Sequence, residues 1–89
     1  MVYRGQAYGD PVGTWWTSSR AEAVKFAMSR GGNRNWIVLA LDEDDEDWLT
    51  ANRTYDRAGD ERGDWFNISL EQLKTRWRGV RVIEGAIEL

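Results

Sequence analysis

The chain has no cysteine and no histidine, and a single proline. Each absence closes off chemistry. Without cysteine there is no disulfide and no thiolate to hold a metal. Without histidine there is no imidazole base, proton shuttle or metal ligand, so no metal site is expected. Serine–histidine and cysteine–histidine catalysis are both excluded. Reactions are left to carboxylates, arginine, tyrosine and hydroxyls. Long apolar runs are also missing, which predicts no membrane span and no membrane partner. The opening MVYRGQAYGD lacks a basic region followed by an apolar run, so a cytoplasmic protein without a secretory leader is expected.

What is abundant is tryptophan, six in 89 residues. A chain of this length predicts one domain, residues 1–89, with a small core. Most of the tryptophans are expected to enlarge that core, since each ring buries a large area. Net charge is −3, and Asp42-Glu43-Asp44-Asp45-Glu46-Asp47 alone carries six negative charges, so the rest is net positive. The hexad lacks the mid-loop glycine and terminal glutamate of an EF-hand loop. It reads as a solvated segment after a buried strand.

Strand signals occur at Val2-Tyr3-Arg4, at TWWTS (14–18) and at NWIVLAL (35–41). The last is apolar without alternation and predicts a central strand buried on both faces. Trp15 and Trp16 are neighbours in a strand, so one is sent to the core and the other to the opposite face. Ser19-Arg20-Ala21-Glu22 is a capping box opening a helix that Gly31-Gly32 closes. Residues 48–64 read mostly as loop, long enough to be functional or to hide a short element. Ser69-Leu70-Glu71-Gln72 opens a second helix with Leu70, Leu73 and Trp77 as its core stripe and Gly79 as its cap. VRVIEGAIEL closes the chain as one strand or two, with Gly85 at a bulge or bend. The order β, β, α, β, loop, α, β predicts an α+β fold, a small mixed or antiparallel sheet with two helices.

VYRG at 2–5, GTWWTSS at 13–19 and the helix AEAVKFA that follows resemble the N-terminal part of ADP-ribosyltransferase domains of the arginine–serine–glutamate class. The resemblance implies a domain that binds NAD, or a related adenine nucleotide, and transfers ADP-ribose to a macromolecular target. Arg4, with Gly5 beside it, would contact the diphosphate, where a forked guanidinium suits anionic oxygens. Thr17 and Ser18 would shape the nicotinamide-ribose pocket, and Trp15 or Trp16 would wall it. The catalytic glutamate would be Glu84 or Glu88, four apart, with Glu61 and Glu71 as secondary choices. This sequence has Thr-Ser-Ser where the family has Ser-Thr-Ser, and it has no Glu-X-Glu or Gln-X-Glu motif.

A rival class follows from composition alone. A small acidic chain rich in tryptophan and arginine suits a non-enzymatic interaction protein, of the bacterial or phage effector type. It would bind a protein target through tryptophan and arginine hot spots, with the acidic hexad steering the encounter. Nucleic acid is not the expected partner. TRWRGVR (75–81) has the ingredients, but net acidity opposes it and Trp77 falls on a helix's apolar stripe.

Overall fold

The structure is a computed structural model and describes residues 1–55 and 63–87. Glu61 and Glu88 lie outside the described residues. In chain order the elements are β1 (Val2–Ala7), β2 (Trp15–Thr17), α1 (Arg20–Gly31), β3 (Asn35–Leu41), α2 (Glu46–Ala51), β4 (Arg53–Tyr55), β5 (Trp65–Asn67), α3 (Leu70–Lys74) and β6 (Val80–Ile87). A 3₁₀ turn, Trp77–Gly79, precedes β6. The strands form one sheet in the order β4-β5-β2-β1-β3-β6, every neighbour antiparallel. The α+β class read from the sequence is therefore the class observed. The difference is in residues 48–64, read mostly as loop, which hold most of α2 and all of β4; β5 follows directly at Trp65. These elements are too short to show a period in the sequence.

β3 lies between β1 and β6, which accounts for its unbroken apolar run. Its alternate residues serve two cores. Val38 shares a face with Gly5, and that face receives α1 through Ala23 and Ala27. Leu39 and Leu41 look the other way, into a larger core with Val2, Trp16, Phe66 and Ile68. Leu49 of α2 and Leu73 of α3 close that second core. The sheet is thus covered on both faces.

Local signals explain the helix ends. Ser19 caps α1 by accepting the Glu22 N–H at 3.2 Å. The reciprocal half of the expected capping box is filled differently: the Ser19 N–H donates to Thr17 Oγ1 at 3.1 Å. Gly32 adopts φ 70° and returns its N–H to the Met28 carbonyl, closing the helix. β6 is one continuous strand, with its register shift opposite Val38/Leu39, two residues before Gly85.

Two packing expectations are corrected. Of the stripe Leu70, Leu73, Trp77, only Leu73 is buried; Leu70 is 51% and Trp77 50% exposed. For Trp77 the cause is that α3 stops at Lys74, and the tighter turn that follows rotates it off the stripe. Nor do most tryptophans build the core: Trp16 and Trp36 are buried, while Trp15 and Trp77 are about half exposed.

α1 meets β1 almost backbone to backbone. A Cβ on Gly5 would collide with the Ala23 carbonyl oxygen. Gly5→Ala is expected to lose about 3 kcal/mol or more of stability, since main chain must move. Trp16 supplies a contrasting case. Its ring is fully buried, with Nε1 unpaired among the described residues. Trp16→Phe should therefore stay within about 1 kcal/mol of wild type, because it also removes a buried unsatisfied donor. Trp16→Ala should cost about 3–5 kcal/mol. Urea unfolding of the three variants checks both statements.

Candidate functional site

β1 and β2 are paired only at Tyr3↔Thr17. Beyond that point β1 continues along β3, to which all six of its residues pair. β2 instead pairs residue by residue with β5. The chain between them, residues 8–14, swings outward. The resulting opening is a cleft of about 710 Å³. Arg4 and Gly5 come to it from β1, Trp15 from β2, Phe26 and Arg30 from α1, and Trp65 from β5. Phe26 and Arg30 are four apart and so share one flank of α1. The Phe26 and Trp65 rings meet edge to face, with centroids 5.5 Å apart.

Arg4 is held in place by neutral groups. Its Nε donates to Gln6 Oε1 at 2.9 Å and its Nη1 to the Trp15 carbonyl at 3.0 Å. Its guanidinium lies over Gly13, where a Cβ would strike it. Burial, and then repulsion by Arg30, lower its pKa below the ordinary arginine value, with Asp10 pulling the other way. Neither Arg4 nor Arg30 is among the ion pairs of the described residues. Asp10 is the one carboxylate on the cleft wall among the described residues.

The residues singled out in the sequence are distributed as follows. Arg4, Gly5 and Trp15 line the cleft. Trp16 points into the core instead, as the alternation of a strand requires. Thr17 is buried at the point where β1 and β2 meet, its hydroxyl spent on the Ser19 N–H. Ser18 is turned away from the cleft and latched to β5's entry: its Oγ accepts the Asp64 N–H at 2.7 Å, and its own N–H donates to the Asp64 carbonyl at 3.0 Å. Glu84 sits on β6, two strands from β1, with Oε2 accepting from Arg20 Nε at 3.1 Å. Arg20 and Val24 occupy the flank of α1 that faces β6. Phe26 and Arg30 occupy the flank over the cleft, so the helix stands between Glu84 and the cleft. Glu71 is exposed on α3.

Within the acidic hexad, Asp42, Asp44, Glu46 and Asp47 are exposed, while Glu43 and Asp45 form a structural clamp. Asp45 caps α2 by accepting the Trp48 N–H at 3.1 Å. Glu43 and Asp45 hold Arg76 at 2.6 and 3.7 Å, and the Arg76 guanidinium lies 5.1 Å above the Trp48 ring. No group of three or more metal-ligating side chains occurs among the described residues, and no helix there is long and apolar enough to cross a membrane.

Phe26, Arg30, Gln6 and Trp65 were not singled out in the sequence. The spacing of Phe26 and Arg30 on a helix following an arginine-bearing strand is a signal that could have found that pair. Trp65 had none, because β5 was invisible. The chain matches no protein-family model, no curated protein and no solved structure.

The contact between Arg4 and Gly13 yields a sharp expectation. Gly13→Ala should cost about 1 kcal/mol, by pushing the guanidinium off its hydrogen bonds to Gln6 and Trp15. In an Arg4→Ala background the same change should cost little, because the obstruction is gone. Equal costs in both backgrounds, read by thermal unfolding, would show that Arg4 does not lie over Gly13.

Proposed function

We propose that the chain is an ADP-ribosyltransferase-like domain that binds NAD or a related adenine nucleotide in the β1–β2 cleft. One observation carries this reading: two guanidinium groups without carboxylate partners share a cleft with exposed aromatic rings. Arg4 and Arg30 suit phosphate oxygens, which accept charge-assisted hydrogen bonds. Trp15, Phe26 and Trp65 offer faces and edges to a planar base. The sequence resemblance at residues 2–27 leads to the same cleft through Arg4, Gly5 and Trp15.

The reading is strongest for binding. Transfer of ADP-ribose would further need a carboxylate to stabilise positive charge at the ribose as nicotinamide leaves. Glu84 is held by Arg20 across α1 from the cleft. Titration with NAD, followed by tryptophan fluorescence and thermal unfolding, tests the reading. A saturable fluorescence change and a rise in Tm are expected. Arg4→Ala should weaken binding about tenfold or more, the cost of a charged hydrogen bond. Glu84→Gln should leave affinity unchanged. If neither signal responds to NAD, the nucleotide reading is wrong. Incubation with labelled NAD and a cell lysate separately asks whether any acceptor is labelled.

A second reading, the non-enzymatic interaction protein, is favoured by a different surface. Val12, Leu70 and Trp77 border an apolar hollow of about 320 Å³ beside Lys74; the hollow shares only Val12 with the cleft lining. Exposed tryptophan in such a setting is typical of binding hot spots. Under this reading, capture of a defined protein partner is lost on Trp77→Ser and retained on Arg4→Ala. The opposite pattern counts against it.

A further inference from the structure

Three other arginines among the described residues are matched to carboxylates. Arg20 pairs with Glu84, Arg53 with Asp64, and Arg76 with Glu43 and Asp45. Arg4, which is partly buried, is treated differently. The side chain that orients it is Gln6, which is 3% exposed. Gln6 is fixed at both ends: Oε1 accepts from Arg4 Nε at 2.9 Å, and Nε2 donates to the Asp10 carbonyl at 2.8 Å. The two partners require opposite polarity, so the amide has one orientation. A glutamate of the same shape could still accept from Arg4. It could not donate to the Asp10 carbonyl, and it would neutralise the guanidinium.

We propose that Gln6 is the positioning residue that keeps this cleft selective for phosphate-bearing ligands, because it orients Arg4 without neutralising it. The guanidinium is aimed by neutral acceptors, Gln6 and the Trp15 carbonyl, and its charge is left for an external anion. Arg30, on the facing helix and also without an ion pair, adds a second positive charge to the same cleft. A ligand carrying two adjacent anionic groups satisfies both; a neutral nucleoside satisfies neither. Asp10 is the countercharge on the wall, and its backbone carbonyl is the one tied to Gln6. The loop carrying it is therefore positioned by the same amide that aims Arg4. This inference rests on the nucleotide reading and deepens it, by making phosphate rather than base the larger source of selectivity.

The test compares wild type, Gln6→Glu and Gln6→Met, each checked for folding by circular dichroism. The ligands are ADP, adenosine and inorganic pyrophosphate, titrated at low and high salt. Wild type should prefer ADP to adenosine, and that preference should shrink with salt as the charges are screened. Gln6→Glu should weaken ADP and pyrophosphate about tenfold or more. It should also flatten the salt dependence and leave adenosine within twofold. Gln6→Met removes both hydrogen bonds but adds no charge. It should weaken ADP several-fold while retaining the salt dependence, a split that a purely structural role would not produce. Wild-type ADP affinity and salt dependence in Gln6→Glu overturn the proposal; should that variant not fold, unchanged ADP affinity in Gln6→Met does so. Pyrophosphate separates the two failures. Wild type that binds pyrophosphate but no nucleotide removes the nucleotide reading and leaves the role of Gln6 standing if Gln6→Glu abolishes that binding. Wild type that binds none of the three removes both.

Discussion

The close approach of α1 to β1 at Gly5 is the constraint from which the rest of the structure follows. α1 presents only alanines, Ala23 and Ala27, to the sheet at this point, and the strand presents no side chain at all. Burying two alanines removes little apolar surface, so the contact depends on density rather than area: main-chain atoms of helix and strand pack at van der Waals distance. That closeness fixes the helix axis over β1 and β3. It therefore decides which α1 residues flank the sheet. Arg20 and Val24 fall toward β6; Phe26 and Arg30 fall toward the gap beside β1. A larger residue at position 5 would lift the helix and move both flanks together.

The gap itself follows from how β1 and β2 choose partners. An antiparallel strand has two edges, and β1 commits one of them along its whole length to β3. Its other edge is used only at Tyr3. Past that pair the segment 8–14 is tied down elsewhere. The Tyr8 N–H reaches the Asn35 carbonyl at 2.9 Å, and the Thr14 carbonyl accepts the Ile68 N–H at 2.8 Å. The two anchors pull the ends of the segment toward opposite sides of the sheet, β3 and the chain after β5. The cleft is thus an unzipped portion of the sheet, and its lining is set by strand pairing rather than by a mobile loop.

How much of this was legible in the sequence depended on the range of the signal. The caps at Ser19 and Ser69, the closure at Gly32 and the central strand 35–41 each rest on a few adjacent residues, and each is found where those residues stand. Trp15 and Trp16 also followed from local geometry, since adjacent strand residues must part. β5 could not be seen, because its three residues become a strand only through their pairing with β2 and β4. Leu70 and Trp77 misled for a related reason: their spacing matches a helix stripe, but α3 ends before reaching Trp77. Glu84 was a candidate through the family resemblance alone, and the intervening bulk of α1 is a property of three-dimensional packing that such a resemblance does not contain. Gln6 escaped notice because nothing in a lone glutamine distinguishes an oriented amide from a surface one; only its two partners do.

The distribution of charge gives the cleft its character. A net-acidic chain has carboxylates to spare, and the hexad supplies Glu43 and Asp45 to Arg76, fastening α2 to the turn that precedes β6. These pairs are partly exposed, and such pairs contribute modestly to stability. Their arrangement nonetheless keeps Glu43 and Asp45 engaged on the α2–α3 side of the sheet, where Leu49 and Leu73 share the larger core. Arg30 lies on the helix that covers the opposite face. Arg4 and Arg30 are thus left together in a cleft where Asp10 is the nearest countercharge. In a partly desolvated site, two like charges with one opposing charge carry an electrostatic cost that an anionic ligand relieves and a neutral one does not. Under the nucleotide reading proposed above, a neutral amide that holds Arg4 leaves that cost for an anionic ligand to offset.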